Sequence, residues 1–410
     1  MSQGLLRKLE GMTSNMRMAL VGGVVRDWLL HRMHRDPWNG LRDLDLSIET
    51  QTVSKFNVSC LAQELSNYYY REVTLCQYYE QYGSVEMNIS GISIDLTTAR
   101  QEYYPSPGFN PIVDFNTLES DLARRDLSLN AMALVFEKGH WELLDLHGGQ
   151  SDLAMGWLEF LSETSVADDP TRLVRAARYG AKFGMILGPN SFKQATTTTA
   201  LWPWSWRLGD PFEKAPPSLS TRLRMELESL LECKGWDSAL QLLQKWGALK
   251  LLDLNLLSNN NWRLRIVWGE RLGLPPLLAL ITIANNPIDL ACRLQIPKNQ
   301  IHWLKEFIEF HQFLIGIRTK NSFSKIPISQ WPPSRWCREL EGRGWAPETI
   351  VLGLISGIQP RKPLLRWYLR WRHINSPITA GELIQKGVTI GPDLGNYLRL
   401  LRWNWVDIKE

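Results

Sequence analysis

Cysteine is scarce and scattered. The chain of 410 residues has five, Cys60, Cys76, Cys233, Cys292 and Cys337, an odd number with no pair at metal-ligand spacing. This excludes a disulfide framework and a thiolate metal centre, and predicts reduced thiols in a cytoplasmic protein. Long apolar runs are also missing. The longest, Leu277–Ala284, falls far short of the ~20 residues that span a bilayer, and no signal-peptide core is visible near the N-terminus. There is no internal repeat or low-complexity segment. Charge of one sign does not dominate either: 46 Lys and Arg stand against 42 Asp and Glu, a net charge of +4. That balance permits a polyanionic partner without demanding one. The composition, 44% hydrophobic and 21% charged, is globular, and the length accommodates more than one domain.

The stretch Leu41-Arg-Asp-Leu-Asp-Leu-Ser-Ile-Glu49 carries the strongest chemical pattern. Arg42, Leu44, Leu46 and Ile48 alternate with Asp43, Asp45, Ser47 and Glu49, a period of two that predicts a half-buried strand. Asp43 and Asp45 then leave one face about 6.6–6.8 Å apart at Cα. From there they can converge on a pair of metal ions about 4 Å apart, the spacing of in-line phosphoryl chemistry. Taken alone, Asp-x-Asp also fits a solvated, charged sheet face.

Upstream, Met18-Ala-Leu-Val-Gly-Gly-Val-Val-Arg-Asp27 reads as a strand turning through Gly22-Gly23 into a helix. Glycine allows close backbone approach, and the N–H groups and dipole of a helix start favour a phosphate. Arg26 adds positive charge on the first turn. An ordinary strand–helix turn would look the same in isolation. The two stretches together describe a triphosphate held beside a metal pair.

Gly22-Gly23-x-x-Arg26-Asp27 followed by Asp43-x-Asp45 resembles the opening motif of the class II tRNA nucleotidyltransferases and bacterial poly(A) polymerases, within the polymerase-beta-like nucleotidyltransferases. Later stretches extend the resemblance. Strands are expected at 72–75, 82–89 and 91–98, after a helix over 53–70. Asp95, on the last of these strands, is a candidate third carboxylate, or a surface acid at a strand end. Thr97–Pro111 holds three prolines and a glycine, which predicts a surface loop without regular structure. It is similar to the family's flexible loop beside the active site, with Phe109-Asn110 where Ala-Leu is usual. Asp121-Leu-Ala-Arg-Arg-Asp-Leu-Ser-Leu-Asn-Ala-Met-Ala133 is the most specific match. The resemblance implies that Arg125 faces the triphosphate or sugar and that Arg124, Asp126 and Asn130 brace the site. Asp145-Leu-His-Gly-Gly-Gln-Ser-Asp-Leu153 is similar to the family's turn leaving the sheet.

Asp168-Asp-Pro-Thr-Arg-Leu-Val-Arg-Ala-Ala-Arg-Tyr179 places Pro170 near a helix start, with Arg172, Arg175 and Arg178 on one side of that helix. Asp169 and Arg172 stand one turn apart. A carboxylate can accept from the exocyclic amine of cytosine or adenine while a guanidinium donates to the ring nitrogen. Uracil and guanine present a carbonyl to the carboxylate and leave buried groups unpaired. The match is to the family's Glu-Asp-x-x-Arg motif, with Asp168 in place of Glu. Arg222 and Glu226, at i,i+4, resemble the family's Arg-Ile-x-x-Glu-Leu helix and are expected to be scaffold. Trp202, Trp204 and Trp206 are expected to pack in the core.

Beyond residue 235 the pattern is helical with proline-marked breaks. Arg361, Lys362, Arg366, Arg370 and Arg372, interleaved with Trp367 and Trp371, read either as a track for an RNA backbone or as a solvated helix face. Gly391-Pro-x-x-Gly395 is similar to the turn before the last helix of tRNA nucleotidyltransferases.

The expected fold is α+β: a polymerase-beta-like nucleotidyltransferase head with a small mixed β-sheet (1–150), then an all-helical neck that reads the base (151–235), body (236–330) and tail that binds tRNA (331–410). The resemblance implies transfer of CMP and/or AMP from CTP or ATP to a tRNA 3′ end, with Asp43 and Asp45 holding two Mg²⁺ ions. Gly22, Gly23, Arg26, Arg125 and Asn130 would serve the triphosphate side. Asp169 and Arg172 would read the base, with Arg175 and Arg178 in support. A CC-only or A-only enzyme, a poly(A) polymerase and an RNA-binding protein without chemistry remain alternatives. The full-length loop at 97–118 speaks against the CC-only form, in which the family usually shortens it, and Gly391-Pro-x-x-Gly395 speaks against the polymerase.

Overall fold

Alternating apolar residues build an N-terminal sheet, and helical periodicity builds most of the remaining chain. The computed structural model describes residues 2–13, 16–33, 35, 37, 40, 43–49, 57–79, 83–259, 261–321 and 328–410. Two compact units are formed, one of residues 1–210 and 214–251, the other of residues 252–410 and 211–213. This grain is coarser than the four segments expected from sequence, and head and neck share the first unit.

In the first unit the order is α1 (Ser2–Met12), β1 (Arg17–Val21), α2 (Gly23–Arg32), β2 (Asp43–Glu49), α3 (Val58–Tyr68), β3 (Val73–Tyr79), β4 (Ser84–Ile89) and β5 (Ile92–Thr98). Next come β6 (Arg100–Tyr103), β7 (Ile112–Phe115), α4 (Leu118–Ala123), β8 (Met132–Glu137), β9 (His140–Asp145), α5 (Gly149–Met155), β10 (Trp157–Leu158) and α6 (Ser165–Asp168). The unit ends with α7 (Thr171–Phe183), β11 (Ile186–Leu187), α8 (Pro189–Leu201), α9 (Thr221–Glu232) and α10 (Trp236–Lys245). Seven strands form one mixed sheet in the order β3-β4-β5-β2-β1-β8-β9. The β2–β5 pair is parallel, and the other neighbours are antiparallel. Leu44, Leu46 and Ile48 of β2 are buried in the core, as the alternation predicts. Leu41, Arg42, Val53, Phe56 and Tyr82, which bound the expected elements, lie outside the described residues.

Three local expectations change. The helix expected from 53 starts at Val58, where the Asn57 side chain accepts from the Cys60 N–H at 2.9 Å and fixes the start. Strand β3 is longer than 72–75. It is an edge strand paired only with β4 and exposed along most of its length, so it lacks the alternation that marks a half-buried strand. The segment after Thr97 is not wholly irregular: β6 and β7 form a separate hairpin, Arg100↔Phe115 to Tyr103↔Ile112. The three prolines all fall in its connecting loop, so they exclude regular structure only there.

The segment after the sheet packs as expected. Trp202, Trp204 and Trp206 are buried. Trp202 and Trp204 meet edge to face at 5.0 Å, and their indole N–H groups donate to the carbonyls of Trp206 and Ala167. Asp145 accepts from the N–H of Gly149 and Gln150 at 2.8 and 2.9 Å, so the turn leaving the sheet is a cap for α5.

The regular elements among the second unit's described residues are all helical, and Pro276, Pro287, Pro333, Pro347 and Pro392 open five of its helices. Trp367 and Trp371 are buried, with N–H groups on Glu341 and Glu410, so neither is a stacking platform for RNA. Arg366 and Arg370 both pair with Glu410 while staying largely exposed. Gly391 precedes the last helix, but Gly395 lies inside it rather than in a turn. No helix among the described residues is long and apolar enough to cross a membrane.

One close contact ties the sheet's exit to the residues leading into β8. A Cβ on Gly149 would lie 2.5 Å from the Ser128 carbonyl oxygen and 2.8 Å from Met132 Cγ. Gly149→Ala is therefore expected to cost about 1–3 kcal/mol in urea unfolding. An unchanged midpoint would show that α5 does not pack so closely on this segment.

Candidate active site

The site begins where β1 ends. Gly22 has φ 70° and ψ −129°, a conformation that a side chain resists. Space demands glycine as well: a Cβ there would stand 3.1 Å from Asp45 Oδ2 and 3.2 Å from Arg125 Nη1. Gly23 opens α2. Arg26 is buried, not presented as an open fork. Its Nε donates to Asp27 Oδ1 at 2.8 Å and its Nη1 to Asn130 Oδ1 at 2.7 Å. Its guanidinium lies 5.0 and 4.9 Å from the ring centroids of Tyr179 and Phe183 on α7.

Strand register gathers acids on the face that Asp45 shares. Asp45 pairs with Asp95 on β5, and Asp95 with Glu86 on β4. Burial raises the carboxyl of Asp45 above its ordinary range. Arg125 opposes that rise and Asp43 adds to it. Asp95 is raised by burial and then by the charges of Asp45, Glu86 and Asp43. Hard oxygen donors from alternate positions of one strand, in a row with surplus negative charge, suit a divalent cation of the magnesium class. Among the described residues no three His, Cys, Asp or Glu side chains form a closed metal cage. Two carboxylates with the remaining positions left to phosphate and water is the arrangement Mg²⁺ favours.

Arginines face the acids, and most are held by carboxylates of their own. Asp121 is fully buried between Arg124 (2.7 Å) and Arg125 (2.9 Å). Burial alone would push its carboxyl up, but Arg125 and Arg124 outweigh it and hold it below the ordinary range. Arg124 also reaches Glu102 of β6 at 3.0 Å. Asp126 receives the N–H of Leu127 (2.8 Å), Asn130 Nδ2 (3.0 Å) and Arg175 Nε (2.7 Å). Its complete burial is overcome by these partners, Arg175 foremost, and its carboxyl falls to about 2. Asp126 and Asn130 thus tie Arg26 of α2 to Arg175 of α7.

Helix α7 follows Pro170, as the sequence predicts. Asp169 and Arg172 are both buried at its start. Asp169 Oδ1 accepts from the N–H and Oγ1 of Thr171 at 3.0 and 2.7 Å, and its Oδ2 pairs with Arg222. Arg172 Nη2 donates to the Arg124 carbonyl at 3.2 Å, and its guanidinium stands 5.9 Å from the Tyr104 ring. Arg222 and Glu226 do not act as an i,i+4 pair. Arg222 goes to Asp169, while Glu226 takes Arg175 (3.3 Å) and Arg178 (3.6 Å).

A cavity of about 480 Å³ is lined jointly by Gly22, Gly23 and Asp45, by Arg125, Asn130 and Arg175, and by Asp169, Arg172 and Arg222. Asp43, Arg26 and Arg178 are not in its wall. Asp43 is exposed at the start of β2, Arg26 is a brace between α2 and α7, and Arg178 supports Glu226 from behind. Sequence reasoning missed Glu102, Tyr104, Thr171 and Met225 as lining residues. The first two lay in a loop expected to be irregular. Thr171 and Met225 carry no chemical signal by themselves.

Residues 18–159 match the Poly A polymerase head domain. A CC-adding tRNA nucleotidyltransferase of Deinococcus radiodurans is 34% identical over 383 residues, 93% of this chain and 82% of that one. An A-adding tRNA nucleotidyltransferase of Aquifex aeolicus is 27% identical over 408 residues, 94% of this chain but 44% of the relative's length. Among solved structures, a CCA-adding enzyme in an apo form superposes with a TM-score of 0.73 at 24% identity, covering 98% of this chain and 90% of that one. That likeness establishes the fold.

The depressed Asp126 carboxyl makes a stability prediction. Its folded value, about 2, lies below that of an unfolded aspartate. Its contribution is therefore complete above about pH 4 and is lost as pH falls toward 2. Asp126→Asn should lower stability by about 2 kcal/mol at neutral pH and flatten the acid limb. Urea unfolding at pH 7, 4 and 3 checks this, and parallel acid limbs in both proteins would remove Asp126 as the anchor of α7.

Proposed function

The chain belongs to the tRNA nucleotidyltransferase and poly(A) polymerase family, and from that premise we propose that it transfers CMP, AMP or both from CTP or ATP to the 3′ end of tRNA, releasing pyrophosphate. The observation that carries this reading is the single cavity that runs from Gly22, Gly23 and Asp45 to Asp169 and Arg172. Its size suits one nucleotide, with a phosphate end and a base end at opposite walls.

Asp43 and Asp45 would hold Mg²⁺, which when bound supplies activation of the terminal hydroxyl and offsets charge on the departing pyrophosphate. The hydroxyl oxygen bonds to the α-phosphorus as the bond to the β-phosphate bridge breaks, so the protein's own part is position and charge. Arg125 faces the triphosphate from beside Gly22. Arg26 adds charge from behind the turn and fixes α2 through Asn130. Asp169 accepts from the exocyclic amine of the base, and Arg172 donates to the ring nitrogen. Arg175 and Arg178 keep the helix that carries them in place through Asp126 and Glu226. A tRNA substrate together with the five scattered cysteines supports a cytoplasmic location.

Which nucleotides are added is open to one direct comparison. The CC-adding relative at 34% identity favours C addition. The full-length loop between β6 and β7 favours an enzyme that also adds A. Transcripts lacking the last one, two or three nucleotides of the CCA end, each given CTP or ATP singly, separate CC, A and complete CCA addition on a sequencing gel. Untemplated AMP runs on any RNA would instead indicate a poly(A) polymerase, and no addition at all would leave an RNA-binding protein.

Two mutational outcomes are expected. Asp43→Ala and Asp45→Ala should each abolish addition while tRNA affinity, read by filter binding, stays near wild type; near-normal turnover in either would dismiss the metal assignment. Asp169→Ala should lower kcat/KM for CTP or ATP about tenfold to a hundredfold, the loss of one hydrogen bond to a charged group, with a relative gain for UTP or GTP. Arg172→Ala should show the loss without the gain. Equal losses for all four nucleotides would reduce the pair to scaffold.

A further inference from the structure

The acceptor positions of Asp169 can be counted. Each carboxylate oxygen offers about two lone-pair sites. Oδ1 accepts from the Thr171 N–H at 3.0 Å and from Thr171 Oγ1 at 2.7 Å, which fills it. Oδ2 accepts from Arg222 Nη2, which leaves it one site. The backbone on both sides is fixed as well: the Asp169 N–H donates to the Ser165 carbonyl at 3.1 Å, and its carbonyl accepts from the Arg172 N–H at 3.1 Å. Asp169 is 4% exposed, whereas a third of the Arg222 side chain remains accessible, and both line the cavity. Arg222 comes from α9, a different helix, 53 positions along the chain.

We infer that Arg222 is a specificity-determining positioning residue: by occupying one site of Asp169 Oδ2 it leaves a single, fixed acceptor position for the exocyclic amine of the incoming base. This rests on the base-reading role proposed for Asp169. Without Arg222, both sites of Oδ2 are open and the carboxylate is held on one oxygen only. It can then turn, or take a water that offers its own proton to a carbonyl-bearing base. The penalty against uracil and guanine depends on a carboxylate that cannot turn away and cannot recruit such a donor. Arg222 thus acts on selection through Asp169 and need not touch the nucleotide.

The test measures kcat/KM for CTP, ATP, UTP and GTP on a saturating tRNA with wild type, Asp169→Ala, Arg222→Ala, Arg222→Lys and the double variant Asp169→Ala/Arg222→Ala. Arg222→Ala is expected to narrow the preference for amine-bearing over carbonyl-bearing bases at least fivefold. Arg222→Lys, with a point donor in place of a fork, should narrow it less. The double variant should be no less selective than Asp169→Ala, because one group acts through the other. Circular dichroism and thermal unfolding verify folding, and Arg222→Gln is measured instead if the alanine variant does not fold. If Asp169→Ala narrows the preference while the Arg222 variants lower all four nucleotides equally, the inference falls and the base-reading role stands. If Asp169→Ala itself leaves the ratios unchanged, the base-reading role falls and this inference with it. Further narrowing in the double variant would mean that Arg222 meets the base directly, which also overturns the positioning role.

Discussion

The geometry of the site depends on the Asp126 carboxylate. It is buried and takes hydrogen bonds from the Leu127 N–H, Asn130 and Arg175. Arg175 belongs to α7, which also carries Arg172. Asn130 lies just before β8, a neighbour of β1 in the sheet, and accepts in turn from Arg26 on α2. Three side-chain hydrogen bonds, Arg26–Asn130, Asn130–Asp126 and Asp126–Arg175, thus connect the helix behind the glycine turn to the helix that carries Arg172 and starts two residues after Asp169. Arg26 closes the circuit by packing on Tyr179 and Phe183. Reactions driven by positioning lose rate steeply when groups drift by an ångström. A buried carboxylate with three donors resists such drift better than apolar contact, because turning it leaves charge unpaired.

Charge is graded along the cavity. Asp45 lines it and belongs to a row with Asp95 and Glu86 across three strands, of which the last two line a separate hollow; burial combined with mutual repulsion raises Asp45 and Asp95. Further along the wall stand Arg124, Arg125, Arg172, Arg175 and Arg222. Most of these meet carboxylates from the protein, so the arginine wall is oriented rather than loose. Asp121 illustrates the arrangement: one buried acid fixes two adjacent arginines from a single helix turn. Under the proposed function, a triphosphate with its cations would answer both signs at once, the cations the acids and the phosphate oxygens the guanidinium groups.

Patterns with a local cause were legible in the sequence. The period of two in Asp43–Glu49 gave the strand, Gly22-Gly23 the turn into α2, and Pro170 the start of α7. The proline-marked breaks coincide with five helix starts of the second unit. Side-chain partners were not legible, because the competition between them is not local. Spacing pointed to Arg222 with Glu226, an exposed i,i+4 pair worth only about 0.2–0.5 kcal/mol. The folded chain instead offers Arg222 a buried, capped carboxylate 53 residues away, and offers Glu226 two arginines of α7. Arg26 misled in the same way. Its position on the first turn suggested an open cation, yet Asn130, 104 residues on, and two aromatic rings enclose it. Strand β3 escaped its full length because an edge strand exposed on most positions has no alternation to read.

The tryptophan cluster and the proline-rich loop explain one another. Gly108, at the loop's turn, has φ 84°, and a Cβ there would lie 2.8 Å from Trp204 Cδ1 and 2.9 Å from Ser218 Oγ. Its N–H donates to the Asp168 carbonyl at 3.0 Å, and its carbonyl accepts from the Ser218 N–H at 3.2 Å. The loop is therefore pinned at one glycine between the residue before Asp169 and the segment that leads to Arg222. This also accounts for aspartate at 168, where the family has glutamate. The Asp168 side chain accepts from Thr164 Oγ1 at 2.6 Å, a local tie that needs a short reach and points to no ligand. What position 168 contributes to the loop is its carbonyl, which any residue supplies, so the departure from the family pattern leaves that contact undisturbed.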